Sequence, residues 1–560
     1  MTTFQGPPVE SEPGIGALTL GGLLVETAAR HRGREAVVFR APGRAVQRWT
    51  YDELEDEVRR CARAFVAAGV EPGTRVALLM GNRPEWVAAA YATALVGGLL
   101  VAVNTFLAPP ELEYVLGHSE AALLLTEVHL LGRAYLDELA DRAPELRGAT
   151  PGALSSATFP SLRRVVALGL DAPVGAAEPW AAFLARGDGV DDAVVDERAA
   201  AVTPDDEALV IYTSGSTATP KGILHAHRGP ARQSWRFAHH LCLDPTARVW
   251  SSFPFFWSAG FVMVMGATLA AGACLVLEEH FDPARILRLL EAERVTSPHA
   301  WPHQLAQLED HPDWARRDLS SVRQCESFSS FGRHPTVRVT DGWSARAAFG
   351  LSETCTIISS LPADTPSALR DASQGAILPG NEVRVLDPST GEALPAGEPG
   401  ELAVRGPTLM EHYMEVDPAS CFDEDGFFHT GDVGFVDDDG YLHWTGRRTD
   451  MIKTGGANVS PVEVELALLR HPALRTALVV GVPDRLLGER VVVCAVAHEG
   501  ATVTEGDVQL FLRGRIASYK IPREVLFFDE DELSLTGTAK IRTSALLELA
   551  AARLGLPAEG

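Results

Sequence analysis

The sequence predicts an α/β protein with more than one domain. Apolar strands alternate with amphipathic helices from about residue 18 to residue 360, which is typical of parallel sheets covered by helices. Short alternating runs separated by Asp-Pro and Asp-Gly turns follow in residues 380–445 and predict a β-rich segment. From residue 446 onward the pattern changes again and predicts a compact α+β segment.

The N-terminal half contains a long uncharged run over residues 86–110. Its length is near that of a membrane-spanning helix, which needs roughly 20 apolar residues. The pair Gly97-Gly98 divides it, so we expect a helix that ends near Val96 and a strand over residues 99–103, both inside an α/β domain. A second uncharged run, over residues 249–277, is broken by proline and glycine and suits the wall of an apolar pocket. We therefore expect no membrane span.

The later elements are short and regular. Alternating runs predict strands at residues 382–386 and 401–405 in the β-rich segment. In the last segment a helical pattern covers residues 461–470, and apolar runs predict strands at 477–480 and 491–496.

The composition and net charge of the chain exclude several classes of function. The chain has 560 residues, of which 46% are hydrophobic, so it can bury large cores. A net charge of −25 argues against nucleic acid and anionic membrane surfaces as partners. Seven cysteines without a CxxC pair predict neither a zinc site nor a disulfide framework and favour the reduced cytoplasm. Residues 1–17 lack the regions of a signal peptide, and we expect a disordered leader there.

Lysine is scarce in this chain and therefore informative. Of the 49 lysines and arginines only four are lysines, namely Lys221, Lys453, Lys520 and Lys540. An ammonium is a compact point charge, whereas a guanidinium is a broad planar fork, so a site that grips one phosphate or carboxylate oxygen can require lysine. For Lys520 a functional role and a coding bias remain equal alternatives.

Lys221 is the next-to-last residue of the run TSGSTATPKG, which begins at Thr213 and consists mostly of small and hydroxyl residues. The apolar residues 208–211 precede the run and predict a buried strand, so the run reads as a phosphate loop. Small residues let backbone N–H groups approach an anion, and Lys221 adds a full positive charge. The spacing differs from a Walker A loop because Gly222 follows the lysine where Ser or Thr would stand.

With this loop the chain resembles the adenylate-forming superfamily of acyl-CoA synthetases, adenylation domains and luciferases. Further motifs follow in the family's order: Phe349-Gly350-Leu351-Ser352-Glu353-Thr354, His429-Thr430-Gly431-Asp432, Gly446-Arg447-Arg448-Thr449-Asp450, and the segment that ends at Lys540. The resemblance covers nearly the whole chain. It implies an AMP-binding domain over residues 18–446 with a β-barrel-like subdomain. It also implies a small, mobile C-terminal domain over residues 447–560, pivoting at Thr449 beside Asp450.

The resemblance also implies substrates and site residues. ATP, Mg²⁺ and coenzyme A are expected, with Thr217 and Glu353 on the metal. The expected catalytic residues are Lys221, Glu353, Lys453 and Lys540, of which Lys540 serves adenylation and Lys453 the thiol step. The expected nucleotide- and CoA-binding residues are Thr213, Ser214, Gly215, Ser216, Thr217, Lys221, Phe349, Gly350, Ser352, Glu353, Asp432, Arg447, Gly455, Gly456 and Lys540.

The chain departs from the family pattern where the acid would bind. Trp257 stands where many members have the histidine of a PxxH motif, and the loop 327–332 is SFSSFG rather than rich in glycine and alanine. These changes add aromatic bulk and predict a pocket for an apolar acid. They do not indicate how long the carbon chain of that acid is. The expected substrate-binding residues are Trp257, Phe261, Phe328 and Phe331. Smaller departures are Ala218 in the phosphate loop and Ala539 before the last lysine.

The leading hypothesis is a carboxylic acid–CoA ligase that works through an acyl-AMP and accepts a fatty, cyclic or aromatic acid. One alternative is an acyl-AMP ligase that loads a carrier protein or adenylates an unusual small acid for another acceptor. A second is a non-catalytic homologue that binds acyl or adenylate ligands. His225 and His227 follow the phosphate loop, and we interpret them as packing residues rather than bases or metal ligands. The oligomeric state stays open.

Overall fold

A computed structural model describes residues 2–12, 14–213, 220–327, 329–339, 342–447, 451–468, 470–498, 500–529, 532–533 and 543–556. The elements up to residue 201 are, in chain order, β1 (Phe4–Gln5), α1 (Leu20–Arg30), β2 (Glu35–Arg40), β3 (Gln47–Thr50), α2 (Tyr51–Ala67), β4 (Arg75–Leu79), α3 (Pro84–Leu95), β5 (Leu99–Ala102), α4 (Pro109–His118), β6 (Leu123–Glu127), β7 (His129–Leu130), β8 (Arg133–Ala134), α5 (Tyr135–Arg142), α6 (Glu145–Gly148), β9 (Arg164–Leu168), β10 (Ala177–Pro179), α7 (Trp180–Ala185) and α8 (Asp192–Ala201).

The elements of residues 207–447 follow. They are β11 (Glu207–Thr213), β12 (Lys221–Ala226), α9 (Arg228–His240), β13 (Arg248–Ser251), α10 (Ala267–Ala270), β14 (Cys274–Glu278), α11 (Pro283–Ala292), β15 (Ser297–His299), α12 (Pro302–Glu309), β16 (Ala348–Phe349), β17 (Ser359–Ser360), α13 (Ser367–Arg370), β18 (Ala376–Ile377), β19 (Glu382–Leu386), β20 (Gly400–Arg405), β21 (His412–Tyr413), β22 (Phe428–Val436) and β23 (Leu442–Arg447). A π-helical turn, Ala259–Gly266, precedes α10.

The last segment is α+β, as expected. It contains β24 (Ile452–Thr454), β25 (Ala457–Val459), α14 (Pro461–Leu468), β26 (Leu474–Asp484), β27 (Gly488–Ala497), α15 (Glu505–Leu512), β28 (Glu524–Phe527) and α16 (Thr543–Arg553). The strands pair in the order β25-β24-β27-β26, with β28 parallel to β27. Val464 and Val508, of α14 and α15, pack in one apolar cluster, and Leu546 of α16 packs in another.

The N-terminal part is built on two mixed sheets. The larger has the order β10-β9-β6-β4-β5-β11-β12-β21, in which β10 to β11 are parallel and β12 and β21 are antiparallel additions. The second has the order β15-β13-β14-β2-β3 and is parallel apart from β3. The parallel strands are buried runs of Val, Leu and Ala, because helices cover them. In the larger sheet, the neighbouring strands β11 and β12 flank the predicted phosphate loop in the sequence.

The uncharged run over residues 86–110 forms α3 and β5, as the sequence predicts. All residues of α3 except Glu85 are buried, which explains a helix that is apolar on every side. Gly97 has a φ of +77°, a conformation that favours glycine and ends the helix. Among the described residues, no helix combines the length and apolar content needed to cross a bilayer.

The β-rich segment forms an antiparallel sheet in the order β1-β19-β20-β22-β23. Beside it lies a small sheet, β16-β17-β18, which a single bridge from Ala376 to Tyr441 connects to the turn before β23. Among the described residues no ladder joins β1 to β23, and this sheet together with the small one beside it forms the β-rich subdomain that the sequence predicts. Its strand β22 carries Asp432, and the small sheet carries Phe349.

The expectation of a disordered leader over residues 1–17 is wrong for the described part of that segment. Phe4 pairs with Val383 in the antiparallel β1–β19 ladder. The Glu12 side chain is 3% exposed and forms ion pairs with Arg232 and, at 2.6 Å, with Arg236. Burial lowers the pKa of Arg236, and the Glu12 carboxylate acts in the opposite direction. A buried carboxylate between two arginines therefore anchors this segment to α9.

Replacing Glu12 by alanine should destabilise the N-terminal part by about 3–5 kcal/mol, because two buried guanidinium groups lose their counter-charge. Urea unfolding followed by tryptophan fluorescence would measure the shift of the first transition. Glu10→Ala, at an exposed position of the same segment, is the matched control and should change stability by less than about 0.5 kcal/mol. Equal midpoints for the two variants would contradict the anchoring role.

Candidate active site

A cavity of about 900 Å³ lies between the end of β11, the turn after β16, the sheet that carries β22, and the beginning of the C-terminal segment. Most of the predicted nucleotide-site residues that the structure describes line it, namely Thr213, Lys221, Phe349, Gly350, Ser352, Glu353, Asp432 and Lys453. Motifs separated by more than 200 residues of sequence thus meet around one space.

Lys221 opens β12 and pairs in register with Thr213 at the end of β11. The loop residues Ser214, Gly215, Ser216 and Thr217 lie outside the described residues. The Lys221 ammonium lies 4.9 Å from the ring centroid of Tyr413, close enough for a cation–π attraction. An aromatic ring can hold an ammonium in place without neutralising it, so the charge stays available for an anion.

Glu353 is held by the same tyrosine. The Tyr413 hydroxyl donates a hydrogen bond of 2.8 Å to Glu353 Oε1. Tyr413 therefore positions both a cation and a carboxylate of the site. Sequence reasoning missed it because nothing in the run around β21 matches a motif that the chain resembles.

The turn that carries Ser352 and Glu353 has an unusual backbone. Cys355 and Thr356 have φ values of 51° and 92°, which are rare for residues other than glycine. A Cβ at Gly350 would lie 1.5 Å from the Thr356 carbonyl oxygen, so this position requires glycine. Strain of this kind persists where the surroundings fix the conformation, and it is concentrated at functional sites.

His225 is one of the groups that fix this turn. Its Nε2 lies 2.9 Å from the Ser352 carbonyl oxygen, which can only accept, so Nε2 carries the proton. Burial lowers the pKa of His225 to about 4, and the imidazole is therefore neutral near pH 7. Burial also lowers the pKa of His227 to about 4, and this side chain accepts the Leu20 N–H through Nδ1. Both contacts are structural, in agreement with the packing interpretation.

Asp432 lies on β22 at the opposite wall and is 3% exposed. Trp444 Nε1–H donates a hydrogen bond of 2.9 Å to Asp432 Oδ1, and Arg447 pairs with Asp432 in the β22–β23 register. The Lys453 ammonium lies 4.1 Å from the Trp444 ring centroid. Trp444 thus connects the predicted ribose-binding carboxylate to a lysine of the C-terminal segment. No motif points to Trp444, although a partly buried tryptophan usually needs a partner for its N–H.

A narrower cavity of about 160 Å³ lies beside the large one and has an aromatic wall. Trp257 and Trp301 line it from the N-terminal part, and Gly456 and Tyr519 line it from the C-terminal segment. The Trp301 ring packs directly on Gly456, where an added Cβ would lie 2.1 Å from the ring. Gly455 lines neither cavity, and its N–H donates to the Leu487 carbonyl at 2.9 Å.

Among the described residues, Trp257 is the one predicted substrate-binding residue that lines either of these two cavities. Phe261 is 1% exposed and packs on Trp86, with ring centroids 5.8 Å apart. Phe331 is 2% exposed and packs on Trp314 at 5.7 Å. Apolar neighbours in the core enclose both rings, and the role of Phe261 and Phe331 in binding the acid stays a prediction.

Several predicted residues lie outside the described residues. These are the four loop residues named above, Phe328, the pivot residues Thr449 and Asp450, and Lys540. Within the described part of the chain no group of three or more His, Cys, Asp or Glu side chains has the arrangement of a metal site.

Comparisons with known proteins agree with this geometry. A family model for AMP-binding enzymes matches residues 24–414, and a model for the AMP-binding enzyme C-terminal domain matches residues 463–540. This chain belongs to the AMP-binding enzyme family. The match confirms the predicted superfamily, the fold class and the enzyme class, an ATP-dependent, AMP-forming acid–CoA ligase for which ATP and CoA are substrates.

Individual members of the AMP-binding enzyme family are similar to the chain over almost its full length. The indoleacetate–CoA ligase of Aromatoleum aromaticum is 32% identical over 539 residues, covering 94% of this chain and 98% of the relative. The feruloyl-CoA synthase of an Amycolatopsis species is 33% identical over 498 residues, covering 88% and 92%. Among solved structures, the amide bond synthetase McbA from Marinactinospora thermotolerans matches with a TM-score of 0.73 at 27% identity, covering 94% of this chain and 99% of that one.

Tyr413→Phe should slow acyl-AMP formation roughly tenfold or more, because the hydrogen bond that orients the Glu353 carboxylate is lost while the ring beside Lys221 remains. Acid-dependent release of pyrophosphate measures this step. Tyr441→Phe removes a hydroxyl outside the cavity and should leave the rate unchanged. Identical rates for the two variants would show that the Tyr413 hydroxyl does not support the site.

Proposed function

We propose that this AMP-binding enzyme joins an apolar carboxylic acid to coenzyme A in two steps, through an acyl-AMP. The carboxylate oxygen attacks the α-phosphorus of ATP and pyrophosphate leaves. The CoA sulfur, as thiolate, then attacks the acyl carbon. The bond from this carbon to the oxygen on the AMP phosphorus breaks, and AMP leaves with that oxygen. A carboxylate is a poor electrophile, and the first step supplies the leaving group that the second step needs.

One observation carries this proposal. Thr213 and Ser352 line both the large polar cavity and the narrow aromatic one. A nucleotide in the first space and an acyl or thiol group in the second would therefore meet at these two residues. That is the arrangement needed to bring a carbonyl carbon and an α-phosphate together with little loss of orientation.

Charged groups on the large cavity support a nucleotide in it. Lys221 would neutralise phosphate oxygens, and the Ser352 hydroxyl would contact the AMP phosphate. Asp432, with Oδ1 oriented by Trp444 Nε1–H, would accept ribose hydroxyls with the assistance of Arg447. In a closed site these fixed charges act more strongly than in water.

Mg²⁺ fits the donors present. The Glu353 carboxylate lines the cavity and is a hard oxygen ligand, and the Thr217 hydroxyl would be the second protein ligand. One or two protein oxygens, completed by phosphates and water, are what Mg²⁺ usually takes, which agrees with the absence of a three-residue metal cluster among the described residues. Bound there, Mg²⁺ would neutralise phosphate charge.

We assign the two steps to different lysines of the C-terminal segment. Lys540 would bridge the carboxylate and the α-phosphate during adenylation. Lys453 and Gly456 would serve thioester formation, since Lys453 lines the nucleotide cavity and Gly456 lines the aromatic one. Gly455 supports the turn that presents Gly456. The C-terminal unit, residues 447–560, would move against residues 18–446 between the steps.

An apolar acid is supported by the wall of the narrow cavity. Trp257 and Ala259, at the start of the π-helical turn, face it together with Ile211 of β11. Relatives named for an indole acid and for a ferulic acid lie in the same family. We therefore propose a ring-containing or branched apolar acid, which the aromatic wall would contact face-on or edge-on. The seven free cysteines favour a reduced cytoplasmic setting.

A different acceptor is the second candidate. The match to a structure described as an amide bond synthetase supports it, because the same acyl-AMP could be captured by an amine. Acyl-AMP capture by a carrier-protein thiol is the third arrangement. The narrow cavity beneath Gly456 suits a slender pantetheine thiol arm, which CoA and a carrier protein share, and the relatives named as CoA-dependent enzymes favour CoA.

The test is pyrophosphate release with a panel of fatty, cyclic and aromatic acids, each with CoA, with a simple amine, or with neither, and with the acyl product identified by mass spectrometry. We expect release to depend on a ring-containing acid and acyl-CoA to form. Release that stops at acyl-AMP in the presence of CoA would contradict the CoA assignment, and amide formation would favour the second candidate.

Gly456→Ala should block the thioester step and spare adenylation, since the added methyl would meet the Trp301 ring at 2.1 Å. Lys540→Ala should do the reverse and still accept preformed acyl-AMP. Each half-reaction is measured alone, by pyrophosphate release and by conversion of synthetic acyl-AMP.

Gly456 also has a φ of +84°, which alanine tolerates poorly. Gly514→Ala is therefore the control, because Gly514 has a similar φ of +73° and no atom within 4 Å of an added Cβ. Trp301→Ala in the Gly456→Ala background should restore part of the thioester rate. Loss of both half-reactions in each single variant would refute the division of labour.

A further inference from the structure

A buried ion cluster joins the C-terminal segment to the N-terminal part. The Lys520 ammonium lies 2.9 Å from Glu111 Oε1 and 2.5 Å from Glu463 Oε1. The side chains are 1%, 10% and 6% exposed, respectively. Because desolvated charges interact strongly and lose much when separated from their partners, this cluster is a strong contact between the two parts.

The three residues come from opposite sides of that contact. Glu111 lies in the first turn of α4 in the N-terminal part. Glu463 lies in the first turn of α14, and Lys520 ends the short 3₁₀ turn Ser518–Lys520 before β28. Of the two ion pairs, only Lys520–Glu111 crosses between the parts.

The cluster lies at the wall of the narrow cavity. Lys520 and the preceding Tyr519 both line it. The Tyr519 ring packs edge-on against Phe106 and Trp257, with centroids 6.5 and 6.4 Å away. The segment from Phe106 to Glu111 thus receives two successive residues of the C-terminal segment.

Charge favours the assembled cluster. Burial alone would lower the pKa of Lys520, but the Tyr519, Glu111 and Glu463 side chains hold it above its ordinary value, so the ammonium stays charged. Burial raises the pKa of Glu463 to about 7, and Lys520 acts in the opposite direction. A lysine between two carboxylates is therefore stable as a cation inside the protein.

The cluster can also separate without leaving an isolated buried charge. Lys520 and Glu463 belong to the same segment and would stay together. Glu111 Oε2 already accepts the Ala108 N–H at 2.7 Å, which caps the start of α4. Separation would therefore break the Lys520–Glu111 ion pair and also remove the contact of Glu111 with Glu463, which, after burial, helps to raise the pKa of Glu463. These opposed effects make a contact that can select an orientation and still open.

We propose that Glu111 is a positioning residue for thioester formation: its ion pair with Lys520 holds the C-terminal segment in the orientation that presents Gly456 and Lys453 to the two cavities. The inference rests on the proposed function, in which adenylation and thioester formation use different residues of that segment. Glu111 contacts no reactant and acts through Lys520.

The experiment exchanges the charges of Glu111 and Lys520 across the interface by substitution. Glu111→Lys leaves two ammonium groups with one carboxylate, and Lys520→Glu leaves three carboxylates. The double variant restores one ammonium and two carboxylates with the lysine on the other side. Thioester formation from synthetic acyl-AMP and CoA is measured beside acid-dependent pyrophosphate release for each. Glu111→Gln removes the charge with the least change of shape.

We expect each charge-changing single variant to lose on the order of a hundredfold in thioester formation, and Glu111→Gln roughly tenfold, while adenylation by the two Glu111 variants stays within about twofold. The double variant should recover most of the loss. Glu113→Lys is the matched control, since Glu113 lies on the same helix and pairs with Arg142 rather than with the C-terminal segment. It should leave both half-reactions unchanged.

Retained adenylation also shows that the Glu111 variants are folded. Equal losses in both half-reactions of the Glu111 variants, or a double variant no better than the singles in thioester formation, would overturn the positioning role. If the unaltered protein makes acyl-AMP but no thioester, the proposed function and this inference both fail. If it completes both steps and the Glu111 variants do so at the same rates, only this inference fails.

Discussion

The site must bring two anions together inside a protein whose net charge is −25. Local positive charge has to overcome both the repulsion between the reactants and the field of the whole chain. Three of the four lysines lie in the described residues, and each lies over an aromatic ring, Lys221 over Tyr413, Lys453 over Trp444 and Lys520 over Tyr519. A ring orients an ammonium and excludes water from one side without cancelling its charge. The aromatic residues are therefore as much a part of the electrostatic design as the lysines.

Aromatic rings also connect the walls of the two cavities to the C-terminal segment. Trp444 connects Asp432 to Lys453, and Trp301 receives Gly456. Each of these contacts joins an N-terminal wall to a residue of the C-terminal segment. The chemistry thus depends on how two parts of the chain meet, and this surface combines aromatic and glycine contacts with the buried Lys520–Glu111 ion pair. The aromatic and glycine contacts allow close approach with few polar groups to desolvate when the two parts come together.

Much of this could be predicted from the sequence, for identifiable reasons. The helix α3, the strand β5 and the phosphate-loop strands follow local patterns of burial and glycine, which act over a few residues. The motif residues around Lys221, Glu353 and Asp432 could be placed because their chemistry requires particular side chains. Tyr413, Trp444 and Trp301 could not, because their roles arise from contacts between segments far apart in sequence.

The differences between sequence and structure have the same origin. Phe261 and Phe331 pack on Trp86 and Trp314, contacts that a local aromatic pattern does not indicate. The N-terminal residues lack a strong local pattern, and their order comes from a ladder with β19 and from the buried pairs of Glu12. The sequence alone does not decide whether Lys520 is functional or a result of coding bias, because its partners, Glu111 and Glu463, lie 409 and 57 residues away.

The pairing of β1 with β19 has a consequence for biosynthesis. Phe4 leaves the ribosome well before its partner Val383, which follows nearly 380 residues later. At about 5–20 residues per second, the strand waits from roughly twenty seconds to more than a minute before its ladder can form. During that interval the acidic Glu12 side chain can already meet Arg232 and Arg236, which are made much earlier than β19. Electrostatic attachment to α9 would thus precede strand pairing and keep β1 beside the place where the sheet is completed.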